Sequence, residues 1–194
     1  AELEPQHISL YGLTAENGAA LGRWVREGRA TLPGDDTYSD EYLLAAELLG
    51  SAGYRHYEVS NFAKPGYESR HNRAYWTGAA YLGLGPGAHS LMPPIRSWNV
   101  RSWPAYEAAI RDDRLPLEGS ETVAGSADEL ERVWLGLRTQ EGARVPVLSN
   151  AQRTKLESWA QAGWATVADG TIRLTPKGWL LLDRLAVELA SDSA

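Results

Sequence analysis

Arg55-His56-Tyr57-Glu58-Val59-Ser60-Asn61-Phe62 decides how the front of this chain folds. Its alternating polar and apolar residues, bounded by Gly53 and Pro65, read as one strand. Upstream, Tyr38, Tyr42, Ala45, Ala46 and Leu49 recur at helical spacing, which predicts an amphipathic helix over Thr37–Gly50. Gly53 stands where a left-handed residue would end that helix. Further back, His7-Ile8-Ser9-Leu10-Tyr11 reads as a buried strand, followed by a Gly12–Gly18 loop, a helix over 19–27 closed by Gly28, and a 29–36 linker. Strand, helix, strand in that order predicts a β-α-β unit and a parallel sheet. In such sheets functional groups collect in the loops beyond the strands' C-terminal ends. Those loops follow Tyr11 and Phe62.

Downstream, the glycine-dense Gly83-Leu84-Gly85-Pro86-Gly87 precedes a short strand at 97–100, a helix over Trp103–Asp113 and a linker over 114–125. Beyond it, Ser126-Ala127-Asp128-Glu129 and Ser149-Asn150-Ala151-Gln152 read as capping boxes that open two helices. Trp164 to Leu174 reads as a hairpin turning on Asp169-Gly170, a pair suited to the mirror-image turn that matches strand twist. Thr175-Pro176 then caps a last helix running to about Leu189. Helix, helix, hairpin, helix predicts a small winged-helix-like α+β domain over 119–194, behind an α/β domain over 1–118.

The chain's 194 residues, 43% hydrophobic and 23% charged, have the balance of an ordinary globular protein. Eight tryptophans and nine tyrosines against one phenylalanine favour clefts and interfaces, where a ring with a polar tip is useful. The net charge of −6, without a basic run, argues against a sequence-independent grip on nucleic acid. From Ser120 onward there are eight Lys and Arg against ten Asp and Glu, a poor balance for a DNA-gripping winged helix. No stretch approaches the ~20 apolar residues of a membrane span. Ala1-Glu2-Leu3-Glu4-Pro5 has neither the basic nor the apolar part of a signal peptide, so a cytoplasmic location is expected. With no cysteine, this chain can build no disulfide, thiolate nucleophile or Cys-ligated iron–sulfur cluster by itself.

His71-Asn72-Arg73-Ala74-Tyr75-Trp76 packs an imidazole, an amide and two large rings into six residues. An imidazole ligates a transition metal or heme iron, and paired rings offer a platform to a flat ligand. A lone histidine more often caps or hydrogen-bonds locally, but the neighbours strengthen the ligand reading. On a helix His71 and Tyr75 would share a face. His89 closes the glycine loop as the second ligand candidate. That loop is no dinucleotide fingerprint, since Pro86 blocks a helix starting there. Glu58, Ser60 and Asn61 are pocket candidates by their place at a strand end, while His7 and His56 read as structural. No Ser/His/Asp arrangement, paired acid/base carboxylates or phosphate loop is visible, so no catalytic residue is assigned.

The segments His7–Leu13, Tyr57–Gly66, Arg70–Trp76 and Tyr81–Ser90, with Leu174-Thr175-Pro176-Lys177-Gly178 in the tail, resemble the oxygen-independent coproporphyrinogen III oxidase-like radical-SAM family, and most closely its HemW-type heme chaperones. The resemblance implies the C-terminal half of such a protein: part of a radical-SAM-type parallel α/β barrel followed by the family's C-terminal domain. It implies a missing N-terminal half-barrel that carries a [4Fe–4S] cluster and S-adenosylmethionine. It implies heme contact at His71, Asn72, Tyr75 and Trp76, with His71 near the iron, and S-adenosylmethionine contact at Thr14 and His89. The family often has a cysteine where this chain has Ser69. The function so implied is binding heme and passing it to an acceptor protein, with no radical chemistry from this chain alone. The alternative parent is a coproporphyrinogen III oxidase that decarboxylates two propionates with an adenosyl radical.

Overall fold

The computed structural model describes residues 3–145 and 147–191. The chain runs β1 (His7–Ser9), α1 (Ala20–Arg26), α2 (Asp35–Ser51), β2 (Arg55–Glu58), β3 (Asn61–Ala63), α3 (Arg70–Trp76), β4 (His89–Met92), β5 (Ile95–Asn99) and α4 (Trp103–Arg111). It continues with β6 (Leu117–Thr122), α5 (Ser126–Leu137), β7 (Ala143–Arg144), α6 (Asn150–Gln161), β8 (Ala165–Ala168), β9 (Thr171–Leu174), α7 (Pro176–Trp179) and α8 (Leu182–Ala190). The architecture is mixed α/β. No helix among the described residues is long and apolar enough to cross a membrane.

The strands form three three-stranded sheets, ordered β1-β3-β2, β4-β5-β6 and β7-β9-β8, and every pairing is antiparallel. This corrects the parallel sheet expected from the strand–helix–strand pattern. Residues 55–62 are not one strand. The chain reverses at Val59-Ser60, so that Glu58 pairs with Asn61. The returning β3 is inserted between β1 and β2 and pairs with both. β1 and β2 therefore run in the same direction, as the pattern required, but do not pair with each other. β1 is also shorter and less covered than expected. It ends at Ser9, and Leu10 and Tyr11 beyond it are exposed.

The expected helix over 37–50 forms as α2, and Gly53 follows it at φ 80°, a left-handed position that favours glycine. Its apolar stripe, however, holds no fully buried residue, and Leu44 and Leu48 face solvent. The expected linker over 114–125 contains β6, a polar edge strand that sequence alternation does not reveal. It fits because Gly119 lies under the Trp98 indole, where a Cβ would come within 2.5 Å of the ring. β6 runs through residues 118 and 119, the expected division between domains, and stays paired with β5 on both sides.

Beyond residue 125 the local signals at the start of α6, in the β8–β9 turn and at the start of α7 hold. Gly125 is the N-cap of α5, and the side chain of Ser126, expected to cap it, lies outside what the structure describes. Ser149 and Gln152 form the expected reciprocal capping box on α6. Asp169 and Gly170 take positive φ in the β8–β9 turn, as the mirror-image turn requires. Thr175 accepts from the Gly178 N–H and Pro176 opens α7, but the single helix expected to about Leu189 is broken after Trp179, and α8 starts afresh at Leu182. These elements enclose a core of Leu137, Leu156, Trp159, Ile172, Trp179 and Leu185, all buried. The Trp179 indole N–H donates to the Leu137 carbonyl at 2.8 Å, which satisfies the polar edge of a buried ring. This module is stitched to the first sheet through β2. The Val59 N–H donates to the Arg138 carbonyl at 2.9 Å, and the Gln140 N–H to the Tyr57 carbonyl at 3.0 Å.

Candidate functional site

α3 carries the six-residue aromatic motif. Ser69 opens it in extended backbone and accepts the Asn72 N–H at 3.2 Å. A serine hydroxyl makes a good N-cap, which accounts for Ser69 at this position. Residues four apart share a helix face, while adjacent ones diverge by about 100°. The motif therefore divides. His71 and Tyr75 lie together on the exposed side, with ring centroids 4.9 Å apart and edge to face at 85°. Tyr75 in turn meets Tyr81 edge-on at 4.6 Å. The His71 ring makes no hydrogen bond to the described residues. Asn72 and Trp76 form the other stripe and face β2 and α5. Tyr75 and Trp76 thus do not make one flat platform, which corrects the paired-ring expectation.

On Trp76's side a cleft of about 1190 Å³ opens between α3, α5 and β7. Arg73 and Trp76 line it from α3, Thr77 from the cap after it, Val133 and Gly136 from α5, and Ala143 and Arg144 from β7. His71, Asn72 and Tyr75 do not line it. Arg73 crosses its mouth to Glu141 at 3.0 Å, a second tie between α3 and the C-terminal module.

Behind Trp76 lies a buried carboxyl. Glu58 is 1% exposed, and its carboxylate takes a hydrogen bond from Asn61, which itself meets Ser9. Burial raises the Glu58 carboxyl above its ordinary range, opposed by the Asn61 side chain, the Ser60 N–H, the Arg138 charge and the Trp76 indole N–H. The Trp76 N–H is itself buried beside that carboxylate, without a well-aligned hydrogen bond. The Arg138 guanidinium stacks 4.0 Å from the Trp134 centroid and lies 5.5 Å from that of Trp76. Arg138 escaped sequence reading. Its only signal was Trp134 four residues earlier on a predicted helix. Tyr57 escaped too: its hydroxyl receives the Ser69 N–H at 3.4 Å and meets His7 Nε2 at 2.8 Å.

The two remaining candidates lie apart from the motif. Thr14 lines a separate cavity of about 550 Å³ with Tyr11, Tyr42, Ser60 and Trp179. His89 does not line that cavity. It is exposed on β4, 6.0 Å from the Trp98 ring. The glycine loop before it is shaped by its own hairpin. A Cβ on Gly83 would collide with the His89 carbonyl at 2.2 Å, and Asn99 Nδ2 donates to the Gly83 and Gly85 carbonyls at 3.3 and 3.0 Å. No group of three or more His, Asp or Glu placed to hold a metal ion occurs among the described residues.

No protein-family model matches the chain. It is 37% identical over 177 residues, 91% of its length, to the heme chaperone HemW of Mycobacterium tuberculosis, and covers 45% of that protein. The chain is a homologue of the HemW-type proteins. It is 34% identical over 157 residues to the heme chaperone HemW of Lactococcus lactis, which covers 80% of this chain and 41% of that one. Among solved structures, the radical SAM enzyme coproporphyrinogen III oxidase (HemN) of Escherichia coli superposes over 98% of this chain and 49% of its own, with a TM-score of 0.71 at 17% identity. That likeness establishes a shared mixed α/β fold. The chain spans a little under half the length of these relatives.

Proposed function

We propose that this chain is the C-terminal portion of a HemW-like protein that binds heme and passes it on, with the His71 imidazole as the group that would hold the iron. The observation that carries this reading is the His71 imidazole itself: exposed, free of hydrogen bonds to the described residues, and set edge-on to Tyr75. A neutral imidazole with a free ring nitrogen donates to iron, and the edges of Tyr75 and Tyr81 offer apolar surface to a macrocycle. Such a site is open. Few contacts hold the ligand, so it leaves quickly, which suits handing heme to an acceptor protein better than storing it. The relatives named heme chaperones support the same reading.

The chain's own donors do not fit an iron–sulfur cluster, because it has no thiolate to offer. Thr14 and His89, the proposed S-adenosylmethionine contacts, do not share the cavity that Thr14 lines. No chemical step is assigned to either group. The proposal also divides the protein into a partial barrel and a winged-helix-type C-terminal domain. The rest of the barrel would cover the apolar side chains exposed near the front, among them Leu10, Tyr11, Leu44 and Leu48. Decarboxylation of coproporphyrinogen has only the fold-level likeness to HemN behind it, and fold does not fix function.

Titrating hemin into the chain tests the heme reading. A saturable Soret shift is expected, and His71→Ala should raise the hemin needed for half-saturation on the order of tenfold or more, the scale of losses at metal sites. Identical titrations for the variant and the parent would remove His71 as a ligand. Adenosylmethionine cleavage by the chain after iron–sulfur reconstitution would contradict the expected lack of radical chemistry.

A further inference from the structure

We propose that Asn72 and Trp76 are positioning residues: they clamp α3 onto β2 and hold His71 and Tyr75 outward, without themselves touching heme. This rests on the heme reading above. α3 has seven residues, about two turns, too short to persist unless something docks it. Its inward stripe meets two consecutive residues of β2. Asn72 Nδ2 donates to the Tyr57 hydroxyl at 3.5 Å, and Trp76 sets its indole N–H beside the Glu58 carboxylate. Neighbours on a regular strand point to opposite faces, yet Tyr57 and Glu58 are 2% and 1% exposed. The irregularity in β2–β3 pairing between His56 and Glu58 accompanies this departure, and a bulge of that kind re-aims side chains.

Each contact is anchored from behind. The Tyr57 hydroxyl is fixed by His7 and by the Ser69 N–H, and the Trp76 ring faces Arg138, whose backbone carbonyl is bonded to Val59. The six-residue motif thus performs two tasks on adjacent stripes of one short helix. One stripe reads the ligand and the other reads the scaffold.

Amide exchange in the ligand-free 194-residue chain separates those tasks. Trp76→Phe keeps a ring and removes the N–H; Asn72→Ala and Tyr57→Phe cut the other contact from either end. Asn72→Ala should speed exchange over residues 70–77 by about fivefold, the effect of losing one net hydrogen bond, Tyr57→Phe by at least as much, and Trp76→Phe should speed it too by removing the polar edge that faces Glu58, while His71→Ala leaves it unchanged. With hemin at saturation, Trp76→Phe should leave the Soret maximum in place and raise only the hemin required, whereas His71→Ala should move the maximum. Unchanged exchange in the clamp variants would overturn the proposal. So would a Trp76→Phe Soret shift as large as that of His71→Ala, because the ring would then lie against the macrocycle. If the parent chain takes up no heme, the heme reading fails, and the exchange data alone still decide whether the clamp exists.

Discussion

The C-terminal module and the first fifty residues use similar sequence patterns to opposite effect. α8 sets Leu182, Leu185 and Leu189 at helical spacing and buries all three. α2 sets Tyr38, Tyr42, Ala45 and Leu49 at the same kind of spacing and fully buries none. Periodicity tells which side of a helix is apolar, but closing a core needs a partner surface. The module from α5 onward supplies its own partners in α6, the β8–β9 hairpin and α7. α3 sits at the seam, docked on β2 and tied to the module through Trp76 and Arg73. Its exposed side, with His71 and Tyr75, is backed in part by the better-packed region of the molecule.

The largest expected contrast is in core truncation. Leu185→Ala, at a fully buried position, should cost about 2–5 kcal/mol in urea unfolding. Leu48→Ala, 60% exposed, should cost less than about 1 kcal/mol. Equal losses would mean that α2 packs against something as firmly as α8 does. Next is His56, which joins the two regions. Its ring stacks on Phe62 at 3.9 Å and meets Trp179 edge-on at 4.3 Å. Burial, partly offset by a backbone hydrogen bond to Val59, lowers its pKa from 6.5 to about 4. As pH falls the unfolded chain takes up this proton first, so the contribution is complete above 6.5 and drains away toward about 4. The urea midpoint should therefore drop through that window in the parent chain, and His56→Phe should lack this part of the drop. Parallel curves would sever His56 from the seam.

Glu58 acts with the opposite sign. Burial raises its carboxyl, so folding favours the protonated form, and that stability is lost as pH rises through the raised value. Glu58→Gln should thus gain on the parent as pH climbs above the ordinary carboxylate value of 4.5. A variant that loses ground with rising pH would show that the Arg138 charge outweighs burial. The smallest effect belongs to the exposed Arg111–Glu107 pair, one helical turn apart at 2.7 Å. Arg111→Ala there should change unfolding by no more than about 0.5 kcal/mol.

What the sequence made legible was local. The Ser149–Gln152 capping box, the Asp169-Gly170 turn and the Thr175-Pro176 helix start each need only a few neighbouring residues, and each formed. The sharing of one face by His71 and Tyr75 followed from helix arithmetic alone. The reversal that separates β3 from β2, and the strand β6, stayed hidden because both depend on pairing with distant chain: β3 lies between β1 and β2, and polar β6 along β5. The division of the motif was hidden for the same reason. Nothing near Trp76 in sequence announces that Glu58 and Arg138 will meet its ring. The apparent platform of adjacent aromatics dissolved once the segment proved helical, since neighbours on a helix look in different directions.

If the outward imidazole of α3 holds the iron, a small free imidazole should be able to take its place. Chemical rescue tests it most directly: record the Soret spectrum of the hemin-saturated His71→Ala chain before and after adding free imidazole. The variant's band should be displaced and should return to the parent position as imidazole fills the vacated ligand place. A variant whose band already matches the parent, and does not respond to imidazole, would contradict it.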